Sequence, residues 1–195
     1  MPPLRRVFLV SADETYIIQL QPNLFGHNWR KVKDTDQYPS FDHAKGLFLE
    51  KWRLFLDFAK AENIGRPELT RYEVIYVNHL IEEAGAFPRA IEEYSPLITL
   101  RAARPEHFLP DPNVLVADLQ FGISKERGIL AVSFRQGKRA PDKLDIMQLQ
   151  LTARCPAKPE GSDLEEWLEI AHEWIVRGFT DLTSEYAHKR WERTQ

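Results

Sequence analysis

The chain has 195 residues, with 26 Lys+Arg against 29 Asp+Glu, one cysteine, and 43% hydrophobic and 11% aromatic residues. Those values describe a globular chain that can bury a core, and they exclude disordered, collagen-like and coiled-coil proteins. A lone cysteine, Cys155, excludes an intramolecular disulfide and a cysteine-based zinc site, and a net charge of -3 excludes the overall basic field of many nucleic-acid-binding chains.

Met1 to Arg6 leads into an apolar run, Val7 to Val10, that stops after four residues. A signal peptide needs ~7 to 15 apolar residues and a membrane helix ~20, so a cytoplasmic protein with no membrane association is expected. Arg5 to Val10 and Thr15 to Gln21, joined by the turn residues Ser11 to Glu14, predict a β-hairpin. Leu24 to Lys31 predicts another extended segment, in which Gly26 weakens the strand signal. From Phe41 the apolar residues fall at 41, 44, 48, 52, 55 and 59, the spacing of one helix face, with Ser40 as N-cap. Leu47, Leu54 and Phe58 widen the stripe and predict a heavily buried helix, which Asn63-Ile-Gly65, with Gly65 near C′, and Pro67 end.

The period then changes to two. Arg71 to His79 predicts a strand, followed by strands over Pro96 to Ala103, Val114 to Ile123, Gly128 to Arg135 and Leu144 to Arg154. The connections between them are too short for crossover helices, so the later strands predict an antiparallel meander. Cys155 to Gly161 reads as a linker, and Ser162-Asp-Leu-Glu165 as a capping box. It opens a long helix that keeps its apolar stripe from Leu164 to Tyr186. Residues 1–195 are read as a single α+β domain: a curved, mostly antiparallel sheet with two long helices packed on one face, similar to a helix-grip arrangement.

Tyr16 to Gln21, Phe25-x-His-Asn-Trp-Arg-Lys31, Tyr38-Pro39-x-Phe41 and Tyr76-Val-Asn-His-Leu80, closed by Ala171-His172, Phe179-Thr180 and Trp191, resemble a sporadically distributed bacterial family of uncharacterised proteins. The resemblance runs from about Arg5 to Trp191. It implies an α+β fold and a patchy distribution of the kind horizontally exchanged gene cassettes show, and it carries no activity. Family members begin with a further strand and helix, so the resemblance implies a short form, a mis-set start or half of a split protein. A strand missing beside Val7 to Val10 would leave an open edge, the basis for expecting dimerisation or a protein partner there.

His27-Asn28-Trp29-Arg30 is the most chemically dense stretch, suited to a small ligand or phosphate with Arg30 as a fork and Trp29 as a stacking surface. Its competing reading, a strand end whose tryptophan packs in the core, takes precedence because aromatic residues at strand spacing usually pack. Asn78 and His79 fall on opposite sheet faces by alternation, and a hydrogen-bonded structural asparagine outweighs a catalytic one. The six histidines include no i, i+4 pair, and the chain has no Gly-x-Ser-x-Gly elbow, Walker loop or dinucleotide fingerprint. No cofactor, metal or catalytic residue is therefore assigned. The short basic runs His27 to Lys33 and Arg135 to Arg139 do not outweigh the acidic total, which argues against nucleic acid. The sequence favours a non-enzymatic interaction or regulatory module of antitoxin or immunity type. A small-molecule-binding helix-grip domain is the alternative, and a hydrolase or nuclease with a cleft invisible in linear sequence ranks third.

Overall fold

The computed structural model describes residues 5–33, 35–80, 95, 114–124, 127–139, 143–157 and 163–190. The fold is α+β with antiparallel strands, as the sequence predicts. The predicted sheet is resolved into two, and the chain divides into two compact units, Met1–Glu68 and Leu69–Gln195.

In the first unit, β1 (Val7–Val10), β2 (Tyr16–Gln21) and β3 (Leu24–Trp29) form a three-stranded antiparallel sheet in that order. The β1–β2 turn is built by Asp13, whose carboxylate accepts from Ser11 Oγ (2.5 Å), Thr15 Oγ1 (2.8 Å) and Thr15 N–H (3.2 Å), while Glu14 takes φ +62°. These hydrogen bonds hold the Asp13 carboxyl below its ordinary value, those from Ser11 and Thr15 leading. Gly26 lies within β3, paired with Gln19, so its flexibility does not break the strand.

Helix α1 (Phe41–Ala61) packs against β3. Ser40 caps it as predicted, its Oγ accepting from His43 N–H at 3.3 Å. Its end falls at the predicted Asn63-Ile-Gly65 stop, two residues before the glycine read as near C′. Glu62 is the C-cap, and Asn63 at φ +54° is C′. Asn63 N–H donates to Lys60 O (3.3 Å) and Ile64 N–H to Ala59 O (2.9 Å), the paired bonds of a Schellman motif. Asparagine tolerates the left-handed region, so the chain turns before Gly65. The packing face is as the spacing predicts: Phe25 of β3 lies 6.0, 5.1 and 5.2 Å from the rings of Phe48, Trp52 and Phe55. The heavy burial expected of α1 is corrected. Its one buried residue is Ala59, while Leu54 and Phe58 are 56% and 54% exposed, because the sheet spans only one side of the helix.

In the second unit, β4 (Arg71–Leu80), β5 (Val116–Gly122), β6 (Ile129–Lys138) and β7 (Asp145–Pro156) form a sheet in the order β4-β7-β6-β5. β5, β6 and β7 are the predicted meander, and β4 pairs with β7. The strand predicted over Pro96 to Ala103 lies outside the described residues. Cys155, read as the start of a linker, is a buried β7 residue opposite Tyr72. Leu149, Leu151, Ala153, Val132 and Phe134 fill the face covered by α2 (Leu164–Leu182), which brings Trp167, Ala171 and Ile175 down onto β4 and β7. Trp167 lies 5.7 Å from the Tyr72 ring and donates Nε1–H to Arg127 O (3.2 Å).

Both ends of the final helix depart from the sequence reading. Ser162 of the expected capping box lies outside the described residues, and the N-cap is Asp163, which makes no side-chain cap bond and accepts from Tyr72 Oη (3.2 Å). Burial first, and the Asp163 contact second, push the Tyr72 hydroxyl up to about 12. The single long helix is two: α2 stops at Thr183, in extended conformation, and α3 (Glu185–Arg190) follows. Thr183 Oγ1 donates to Phe179 O (2.5 Å), so its proton is spent and His188 Nε2–H is the donor in their 2.7 Å contact. Ser184 Oγ accepts from Ala187 N–H (3.1 Å). Two consecutive hydroxyls thus offer the backbone an alternative to continuing the helix.

Gly128 is a tightly constrained backbone position between β5 and β6. It holds φ +118°, and a Cβ there would collide with Arg154 O and stand 2.7 Å from Cys155 Cβ. Gly128→Ala is expected to destabilise this unit by about 2–4 kcal/mol, whereas Gly137→Ala changes it by less than about 1 kcal/mol. Position 137 lies in β6, and a methyl group added there would meet nothing within 4 Å. Urea denaturation followed by tryptophan fluorescence checks the contrast; equal losses would contradict this packing.

Candidate functional site

Strand register decides which of the nominated residues work together. Tyr16 pairs with Trp29, Ile18 with His27 and Leu20 with Phe25, which puts Phe25, His27 and Trp29 on the face that carries α1 and Asn28 on the other. His27 stacks on Tyr16 at 5.5 Å and 16° between planes, and Trp29 packs edge-on against Tyr38 at 5.3 Å. Arg30 turns toward the β1–β2 turn. Its Nε–H donates to Glu14 O (2.9 Å), its backbone N–H to Thr15 O (2.8 Å), and its Nη2 lies 3.6 Å from the Glu14 carboxylate. The aromatic members of this stretch therefore pack, and Arg30 secures the hairpin.

Asn78 and His79 belong to the second unit and lie on opposite faces of β4, as alternation predicts. Asn78 is opposite Leu149 on the α2-covered face, and His79 is opposite Gln148 on the open one. Burial, and secondarily Arg139, hold the His79 imidazole below its ordinary value. The open face is polar in rows that the sequence reading missed. Gln148 Nε2 donates to Gln150 Oε1 (3.4 Å) and Gln150 Nε2 to Thr152 Oγ1 (3.1 Å) along β7. Arg135 grips both carboxylate oxygens of Asp118 (3.0 and 3.1 Å) and donates Nε–H to Ser133 Oγ (2.8 Å). Asp118, Ser133, Arg135, Gln150 and Thr152 line a shallow concavity of about 510 Å³. Its signal was the alternation Gln148-x-Gln150-x-Thr152-x-Arg154, legible once β7 is taken as a strand. The polar side chains bond mainly to one another, as on the solvated face of an antiparallel sheet.

The first strand is different. Ser11 N–H donates to Tyr16 O at 3.0 Å. Alternate residues of an antiparallel ladder point the same way, so Leu9 and Val7 direct their backbone groups at β2, and those of Phe8 and Val10 face the open edge. All four side chains of Val7 to Val10 are apolar and 48–53% exposed. Edge strands are ordinarily protected by lysine, proline, a bulge or a covering element. Val7–Val10 contains no charge and no proline.

Among the described residues no group of three His, Cys, Asp or Glu side chains converges as a metal site, and no helix is long and apolar enough to cross a membrane. No protein-family model, curated protein or solved structure matches the chain.

His27 lies on the first unit's packed face, stacked on Tyr16. Burial, and secondarily the Lys51 ammonium on α1, hold its imidazole below the ordinary value of 6.5. The unfolded chain then takes up that proton at a higher pH than the folded chain. The contribution is complete above 6.5 and is lost as pH falls through it toward the folded value. Stability measured at about pH 7.5 and 5.5 should fall on acidification, and His27→Phe, which keeps the stack on Tyr16, should reduce that fall. An unchanged pH dependence, or an NMR titration of His27 at or above 6.5, would contradict the assignment.

Proposed function

We propose that this protein is a non-enzymatic interaction module whose contact element is the open β1 edge. The observation that carries the reading is the Val7–Val10 strand: apolar on both faces, about half exposed at every residue, and with the backbone groups of Phe8 and Val10 directed outward. An extended partner segment adds to such an edge by main-chain hydrogen bonds, with alternate side chains giving selectivity. Exposed Leu54 and Phe58 on α1 extend the apolar surface of the same unit.

The packing between the second sheet and α2 supports this reading over a helix-grip pocket. Phe134, Met147, Leu149, Leu151 and Ala171 are each 0% exposed, so side chains fill the space that a ligand would occupy. The bacterial cytoplasm suits a chain whose one cysteine is buried. A regulator of antitoxin or immunity type from an exchanged cassette fits the resemblance to a sporadic bacterial family.

The test is co-expression with the products of adjacent genes, followed by affinity capture. Wild-type protein and the Ile64→Ser variant, altered at an exposed apolar residue off the edge, are expected to retain the same partner, and Phe8→Pro is expected to lose it. Retention by a Phe8→Pro chain whose far-UV circular dichroism matches wild type would overturn the reading.

A further inference from the structure

We infer that the occupant of the β1 edge is β1 of a second copy of this chain, paired antiparallel about a two-fold axis through Phe8, so that two three-stranded sheets become one of six strands. This inference rests on the interaction reading above and names its partner.

The backbone directions and the symmetry of a pair constrain the geometry. The outward backbone groups belong to Phe8 and Val10, so a hydrogen-bonded pair must form at one of them. A two-fold axis normal to the sheet keeps matching faces together only when it passes through a residue position. Centring it on Phe8 puts Phe8 opposite Phe8 of the second copy, Val7 opposite Leu9, Arg6 opposite Val10 and Arg5 opposite Ser11. Every paired position then joins like faces: Val7 and Leu9 on one, Phe8 and Val10 on the other.

Charge selects the antiparallel direction. Arg5 and Arg6 precede the strand, and Asp13 and Glu14 lie in the turn that follows it. Antiparallel pairing brings the arginines of each copy beside the acidic turn of the other, twice by symmetry, with Arg5 diagonal to Asp13. Parallel pairing would set arginine beside arginine and acid beside acid. It would also lack exact two-fold symmetry, because a parallel ladder needs the two strands to present alternate residues to each other. The apolar strand with opposite charges at its two ends is thus self-complementary, as an isologous interface requires.

Light scattering of the full-length chain after size exclusion is expected to give the mass of two chains, dissociating on dilution. Phe8→Pro removes an outward N–H and no β1–β2 bond, so it should give the mass of one chain with unchanged circular dichroism. Arg5→Glu/Arg6→Glu, which leaves the backbone intact, should weaken association about tenfold. Oxidised Phe8→Cys should form a covalent dimer, whereas Val10→Cys should not, since the two copies of position 10 are offset by four residues, about 13 Å. A single-chain mass at every concentration without cross-linking of Phe8→Cys would overturn the second copy, as would a dimer that survives Phe8→Pro. In the monomeric case, loss of partner capture by Phe8→Pro would leave the interaction reading standing. Capture indifferent to Phe8→Pro would remove both.

Discussion

Every backbone N–H and C=O in a sheet needs a partner, and at β1 only half of them find one among the described residues. Leu9 and Val7 spend theirs on β2, and Phe8 and Val10 present theirs at the edge. On a polar strand, water would satisfy these groups at little cost. On Val-Phe-Leu-Val the same edge also exposes apolar side chains, so the groups that seek hydrogen bonds and the surface that seeks burial coincide. A second strand satisfies both demands together. Neither a soluble ligand nor the rest of the three-stranded sheet does.

The two units meet the burial requirement to different degrees. The second places a covering helix over a sheet whose inner face is continuous from Tyr72 to Leu149, and its centre is fully removed from water. The first has a 21-residue helix over three short strands, and among its described residues only Thr15 and Ala59 are buried. Its cohesion rests on the aromatic contacts around Phe25, each worth about 0.5–1.5 kcal/mol beyond area burial. A unit that keeps this much apolar surface has little stability to lose and much surface to cover by association. On the open face of the second sheet, Arg135 is locked to Asp118 and Gln150 to Thr152, so these polar side chains are spent on one another.

Most of the fold was legible because period and capping chemistry are local. The alternation in Tyr72 to Val77, the Ser40 cap and the three-to-four spacing from Phe41 to Ala59 each predict what is found. The failures have local causes too. Within the predicted Asn63-Ile-Gly65 stop, Asn63 holds C′ two residues before the glycine, because its side chain tolerates the left-handed region, and Gly65 also takes positive φ. Thr183 and Ser184 broke a helix whose apolar stripe continues across them, because their hydroxyls bond backbone that the stripe says nothing about. Division into two sheets and the exposure of Leu54 and Phe58 depend on which surfaces meet, and no spacing rule encodes that. At the candidate sites, the chemically dense His27–Arg30 stretch divides between packing and hairpin support. The informative element was the plainer Val7–Val10 run, whose edge position follows from strand order.

Residue-resolved amide hydrogen exchange of the full-length protein tests the role of β1 most directly, because it reads the outward groups themselves. Pairing at this edge predicts that the amides of Phe8 and Val10 are protected to the level of Leu9 in concentrated solution and exchange quickly on dilution, while Leu9 stays protected throughout. Fast exchange at Phe8 and Val10 at every concentration, with or without a captured partner, would contradict it.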